Sequence, residues 1–226
     1  MQAAASLYQR GLELDPNNVT TIGDTGTLLH QLGRLEESIA FNSFTNSRDP
    51  VHPIGHTNLG IVLLGAGRYD EALESFKKTI KLSPDYNHIH YYLAMAFLGA
   101  GEHEAALAEL QKESFQAVRL SGFAEVYHAM GSRQESNQNL EALTALKNED
   151  SEFLTAEVLA YRGDIDAAFK WIDIAIKHEN WRIADLHTSI LFENLHGDPR
   201  WSKMLHELGN SPEQLAAIKF EVVLPK

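Results

Sequence analysis

Prolines and glycines recur along this chain at an interval of 34 residues. Proline stands at positions 16, 50 and 84, within similar phrases such as Leu14-Asp15-Pro16-Asn17 and Leu82-Ser83-Pro84-Asp85. Glycine stands at 33, 67, 101, 131 and 163, with spacings of 34, 34, 30 and 32. Self-similarity at a fixed period of about 20–50 residues is typical of repeat architectures. The chain is therefore expected to consist of stacked units.

Between these marks the apolar residues follow a helical period. Tyr69, Ala72, Phe76 and Ile80 recur at three- and four-residue steps, which gives one apolar stripe and an opposite charged face. Each unit is expected to be two helices, the first ended by a glycine in the left-handed conformation and the second by the proline. Because no segment alternates polar and apolar residues as a half-buried strand does, the sequence predicts an all-α fold.

The best unit, residues 53–86, resembles the tetratricopeptide repeat family. The residues that carry the resemblance are Leu59-Gly60, Leu63, Gly67, Tyr69, Ala72, Phe76 and Pro84. The unit departs from the family pattern at His56 and Thr79, and the preceding unit departs at Ser38 and Asn42. The resemblance implies a right-handed superhelical α-solenoid of antiparallel helix pairs.

The predicted units shorten along the chain. The end of the sequence is also similar to the C-terminal repeat tract of bacterial multidomain regulatory proteins. The predicted boundaries are 1–18 for the second helix of a truncated repeat, 19–52 and 53–86 for full repeats, 87–116, 117–148 and 149–180 for repeat-like units, and 181–226 for a helical cap.

The sequence predicts different packing for the helices at the two ends of the chain. At the start, Leu7, Leu12 and Leu14 are expected to face an absent neighbour, which favours a piece of a longer protein over a lone capping helix. Near the end, Asp198-Pro199 and Ser211-Pro212 have the form of helix starts, with an acceptor at the cap and proline at the first helical position. Trp201, Leu205 and Leu208 are then expected to seal the last repeat, a role that we favour over a ligand site.

Composition and charge exclude several classes of function. With 19 Lys and Arg against 31 Asp and Glu, the net charge is −12, so nucleic acid and anionic membranes are disfavoured partners. Because the chain has no cysteine, it can form neither disulfides nor thiolate zinc sites, and it is expected in a reducing compartment such as the cytoplasm. The first ten residues lack the pattern of a secretory signal.

Motifs for catalysis or metal binding are not evident. His103-Glu104 begins a metalloprotease-like phrase, but the residue four positions after His103 is Leu107, so two histidines cannot face one metal. His88 and His90 are two residues apart and lie on different faces of a helix. The sequence therefore predicts no enzyme activity, no metal and no cofactor.

The resemblance implies a concave groove lined by the first helices of successive units, along which a peptide lies. We expect its ligand to be a protein or peptide that is neutral or basic and partly apolar, because Asp24, Glu125 and Glu157 map to this side. For Tyr91 and Met95 the alternative is a place in the core, and for Tyr92 the two alternatives are evenly balanced. The predicted peptide-binding residues are Asp24, Thr27, Asn58, Ile61, Tyr91, Tyr92, Met95, Glu125 and Tyr161.

Three functions compete at this point. The leading interpretation is a protein- or peptide-binding scaffold that serves as an interaction or regulatory module of a larger bacterial protein. The alternative is a small-molecule sensor that is coupled to an upstream catalytic or DNA-binding domain. Self-association through the N-terminal half-repeat is a further expectation, since its helix has no predicted partner.

Overall fold

A computed structural model describes residues 1–225, and every regular element in that range is helical. The chain divides into two compact units. Unit 1 comprises Met1–Tyr86 together with the segment that begins at Lys203, and unit 2 comprises Asn87–Ser202. The predicted all-α solenoid of helix pairs is confirmed.

Unit 1 begins with one helix and continues with two helix pairs. The Asn18 side chain caps α2 by accepting a hydrogen bond from the Thr21 N–H, and Pro53 occupies the first turn of α4. In the later segment, Ser211 and Gln214 form a capping box at the start of α13, as the sequence predicts. The helices are α1 Gln2–Leu14, α2 Val19–Gln31, α3 Leu35–Arg48, α4 Pro53–Gly65, α5 Tyr69–Leu82 and α13 Pro212–Ala216.

Unit 2 has three helix pairs followed by two 3₁₀ segments. Asn148 and Ser151 form a capping box at the start of α10. The pairs are α6 Ile89–Gly99 with α7 His103–Leu110, α8 Gln116–Ala129 with α9 Arg133–Ala145, and α10 Glu149–Tyr161 with α11 Ile165–Lys177. The 3₁₀ segments are Trp181–Thr188 and Ile190–Leu195. The next helix, α12 Pro199–Glu207, contains the boundary between the two units, after Ser202.

The glycine between the two helices of a pair takes the left-handed conformation. Gly67 has φ of 71°, a region that residues with a side chain rarely adopt. The other four glycines of the 34-residue pattern also have positive φ. The predicted helix-ending role of these glycines is confirmed.

Helices within a pair approach closely where the sequence has glycine. A Cβ atom placed on Gly60 of α4 would lie 2.6 Å from Cδ1 of Phe76 on α5, which is too close for any real contact. Phe76 itself is fully buried. The small residue therefore allows the aromatic ring to pack directly against the helix backbone.

The departures from the family pattern in unit 1 are polar residues that are buried and hydrogen-bonded. Ser38 donates its hydroxyl proton to the Gly26 carbonyl over 2.6 Å, and the Asn42 amide donates to the Ser38 carbonyl over 2.9 Å. Thr79 pairs with Thr57 through their hydroxyls at 3.1 Å. These bonds compensate for part of the loss of water at positions where the family usually has apolar residues, while the Oδ1 atom of Asn42 has no hydrogen-bond partner.

The C-terminal segment of unit 1 packs against α1, which corrects one expectation. Leu12 of α1 contacts a cluster that contains Leu215 and Phe220, so the predicted absent neighbour is replaced there by the chain itself. Leu7 and Leu14 are 71% and 70% exposed. Sequence periodicity could not reveal this contact because it joins residues more than 200 positions apart.

The predicted helical cap of residues 181–226 is only partly regular α-helix. Residues 181–195 form 3₁₀ turns, and the α-helices begin at Pro199 and Pro212. Trp201 is buried and its ring lies 5.7 Å from that of Phe192, both in unit 2. This contact lies within the predicted cap, so the sealing of the last repeat by Trp201 stays a prediction.

Candidate peptide-binding faces

In unit 1, the predicted binding residues lie on neighbouring first helices. Asp24 and Thr27 lie on α2 and are exposed, whereas Asn58 and Ile61 lie on α4 and are half-buried. The Asn58 amide donates a hydrogen bond to the Thr27 hydroxyl over 3.4 Å, which joins the two helices at this point. These four side chains define what we call the α2–α4 face.

The α2–α4 face can bind a peptide backbone through its polar groups. An asparagine amide has two N–H groups and an oxygen with two lone pairs, and the contact with Thr27 uses one N–H. Ile61 adds an apolar contact and Asp24 adds a negative charge. The arrangement suits a ligand that has both hydrogen-bonding backbone and apolar side chains.

In unit 2, the predicted binding residues divide between the surface and the core. Tyr91, Tyr92 and Tyr161 are half-buried, whereas Met95 is 5% exposed and Glu125 is fully buried. The rings of Tyr91 and Tyr92 meet edge to face at 6.0 Å. The core alternative therefore applies to Met95, and Glu125 presents no surface to a ligand.

Two glutamates on successive first helices meet in the interior of unit 2. Neither carboxyl oxygen of Glu125 has a hydrogen-bond partner. Burial raises the pKa of Glu125 well above its usual range, and the nearby Glu157 raises it further. Burial also raises the pKa of Glu157, although the Ser189 hydroxyl, which donates to it over 2.6 Å, and the charge of Arg182 act in the opposite direction.

The same cluster affects Tyr91. Burial raises the pKa of the Tyr91 hydroxyl well above its usual range, and the charges of Glu125 and Glu157 add to the effect. We therefore correct the expectation that three carboxylates make the binding side acidic. Asp24 is exposed on unit 1, but Glu125 and Glu157 are shielded from solvent, and burial raises the pKa of both carboxyls.

The 3₁₀ segments cover the inner side of α10. The ring of Phe192 meets that of Phe153 edge to face at 5.6 Å, and the guanidinium of Arg182 lies 6.0 Å from the Phe153 ring centroid. The Asn194 amide donates to the carbonyls of Ala160 and Tyr161, each over 3.0 Å. Part of the predicted binding side of unit 2 is thus occupied by the chain itself.

The sequence assigned residues 181–226 to a helical cap but did not predict that residues 181–195 cover α10. The apolar residues Ile183, Leu186, Leu191 and Phe192 are all buried. The density of apolar residues was the available signal that this stretch is buried.

Among residues 1–225, no three His, Asp or Glu side chains are grouped closely enough to hold a metal ion. In the same range, no helix has the length and apolar character needed to cross a membrane.

The comparisons with known proteins agree with the geometry. The family model described as Tetratricopeptide repeat matches residues 57–117. Residues 57–117 therefore carry tetratricopeptide repeats. No curated protein sequence matches it.

Solved structures with this repeat fold resemble the chain. A tetratricopeptide repeat protein from Parabacteroides merdae ATCC 43184 is 15% identical, with a TM-score of 0.66 over 85% of this chain and 77% of that one. YrrB, described as a TPR protein with an unusual peptide-binding site, is 19% identical, with a TM-score of 0.52 over 81% of this chain and 97% of that one. MamA from AMB-1 is 28% identical to this chain. The match covers 48% of this chain and 59% of MamA, with a TM-score of 0.43. At these identities the first two likenesses show the fold alone.

Proposed function

We propose that this repeat protein is a protein- or peptide-binding scaffold and that its ligand contacts the α2–α4 face of unit 1. The observation that carries the proposal is the position of Asp24, Thr27, Asn58 and Ile61. They lie side by side on two neighbouring first helices, accessible to solvent and connected by the Thr27–Asn58 hydrogen bond. In unit 2, the half-buried Tyr91, Tyr92 and Tyr161 are proposed as further contacts.

The chemistry of the α2–α4 face defines the proposed partner. The partner presents an extended or helical segment that is neutral or basic, because Asp24 is exposed and the chain as a whole is acidic. It is partly apolar, because Ile61 and Ile54 are accessible on the same helix. Nucleic acid and membrane surfaces do not fit this charge. YrrB, which shares the fold, is described as having a peptide-binding site, and that description supports the same class of ligand here.

The proposal extends to the role of the chain. It acts as the non-catalytic interaction or regulatory module of a larger bacterial protein in the cytoplasm. The support for this role is the resemblance of its C-terminal sequence to the ends of bacterial multidomain regulators, together with the lack of a catalytic motif in the sequence.

Removing the polar groups of the α2–α4 face is expected to reduce partner capture strongly. The double variant Asp24→Ala, Asn58→Ala loses one charge and the hydrogen-bonding amide, and we expect it to capture at least about tenfold less partner from lysate, as the loss of about 1.4 kcal/mol of binding energy implies. Quantitative mass spectrometry of the captured proteins measures this change.

The matched control is Glu74→Ala, Lys78→Ala, which changes two exposed residues of α5. The control variant should capture as much partner as the wild type. If the double variant captured as much partner as the wild type and kept the same helix content, the α2–α4 face would not be the binding site. A thermal shift with metabolites and no response to any captured protein would favour the sensor function instead.

A further inference from the structure

Residues 218–224 bind to unit 1 in the manner of an extended peptide. Between α13 and residue 225 there is no regular helix, and alternate side chains from Ile218 to Leu224 turn inward. Phe220 is 2% exposed, whereas Val223 is 86% exposed. An alternation of period two is what an extended chain shows when one of its sides lies against a surface.

The surface under this segment is a groove formed by three helices. Ile218, Phe220, Val222 and Leu224 pack in one cluster with α1, α2 and α3. We call this surface the α1–α3 groove. It is lined chiefly by Tyr8 and Leu12 of α1, by Ile22 and Leu29 of α2, and by Phe41 and Phe44 of α3.

Side chains of unit 1 also form hydrogen bonds with the main chain of this segment. The Gln2 amide donates to the Lys219 carbonyl over 3.4 Å and accepts a hydrogen bond from the Lys219 N–H over 3.2 Å. The Arg34 guanidinium donates to the Phe220 carbonyl over 2.5 Å. Main-chain hydrogen bonds combined with alternating apolar anchors are the general features of extended-peptide recognition.

We propose that the α1–α3 groove is a peptide-binding site, that the segment 218–224 is its intramolecular ligand, and that the same segment of a second copy binds there in exchange. The groove and the segment are complementary by construction, since both belong to this chain. Because the segment is tethered to its own groove, its effective concentration there is about 1 mM. When the protein is far more dilute than this, each groove binds its own segment in preference to that of a second copy. Exchange of an identical element between copies requires no new interface.

This site is separate from the α2–α4 face. Ile22 and Leu29 of α2 line the groove, whereas Asp24 and Thr27 of the same helix are exposed. The exchange of segments can therefore be tested without reference to the proposed ligand, and failure of either proposal leaves the other unaffected.

A complementation experiment tests the exchange with two full-length variants. The first, Phe220→Asp, loses its own segment as a ligand but retains the groove. The second, Gln2→Ala, Arg34→Glu, retains the segment but loses the main-chain contacts of the groove. We expect each variant alone to be a monomer and an equimolar mixture to contain a 1:1 heterodimer, measured by size-exclusion chromatography with light scattering.

A mixture that stays monomeric, while both variants keep the helix content of the wild type by circular dichroism, would overturn the proposal. If Phe220→Asp does not fold, the milder variant Phe220→Ala, Leu224→Ala replaces it in binding measurements with a labelled peptide of residues 216–225. That variant should bind the peptide at least about tenfold more tightly than the wild type, whose groove is already filled. The proposal would also be contradicted if the variant and the wild type bound the peptide with equal affinity. The same holds if a peptide that carries Phe220→Asp bound the variant as tightly as the unsubstituted peptide does.

Discussion

Replacing Gly60 with leucine is expected to destabilise unit 1 by about 3 kcal/mol or more, since overpacking a close contact typically costs about 1–3 kcal/mol for smaller changes. Even a single Cβ atom at this position would overlap the ring of Phe76, which is fully buried and cannot move into solvent. A loss of this size is a large part of the ordinary stability of a domain. Urea denaturation followed by circular dichroism measures the change.

The same helix offers a matched control. A Cβ atom on Gly65, also in α4, would lie 3.7 Å from the nearest side-chain atom, an ordinary contact. Gly65→Ala is therefore expected to be neutral or to stabilise by up to about 1 kcal/mol, because alanine favours helix more than glycine does. If Gly60→Leu were as stable as Gly65→Ala, the close packing of α4 against α5 would be wrong.

Replacing Glu125 with leucine is expected to stabilise unit 2 by about 1–3 kcal/mol at pH 8, the usual range for a buried polar group without a partner. Glu125 is fully buried and both of its oxygens lack a hydrogen bond. Leucine has a similar volume and needs no partner. The free energy of unfolding at several pH values measures the effect.

The sign of the pH dependence follows from the raised pKa. Between the ordinary pKa of about 4.5 and the raised value, folded Glu125 binds more protons than the unfolded chain does. Its contribution to stability therefore falls as the pH rises through that window. Relative to the wild type, Glu125→Leu should gain more stability at pH 8 than at pH 5.

Two further variants control for the Glu125 result. Glu125→Gln keeps the volume and removes only the titration, so it should flatten the pH dependence in the same way. Glu141→Gln changes an exposed carboxyl on α9 and should leave the pH dependence of the wild type unchanged. A Glu125 variant whose stability follows the wild-type curve at every pH would show that this carboxyl is solvated.

The helices and their ends were predictable because they depend on local pattern. The glycine positions fixed where the first helix of each pair ends, and all five have the positive φ that this role requires. Gly60 belongs to the repeat pattern that the sequence shows, and the structure places Phe76 directly against it. In each case the physical cause acts within a single repeat.

The binding side was harder to predict because burial depends on distant segments. The sequence placed Glu125 and Met95 on the binding side by their position within a repeat, but both are buried in unit 2. The sequence assigned residues 181–195 to the helical cap, and no local pattern indicated that they pack against α10. Likewise, the contact of Phe220 with α1 joins the two ends of the sequence, and no local pattern encodes it.

The central claim is that ligand binding occurs on the α2–α4 face. Amide hydrogen exchange, measured on the chain with and without a partner captured from lysate, tests it most directly. The account predicts that the partner slows exchange in α2 and α4, around Asp24 and Asn58, and leaves α5 unchanged. Slowed exchange confined to α5 or to unit 2, with α2 and α4 unaffected, would contradict it.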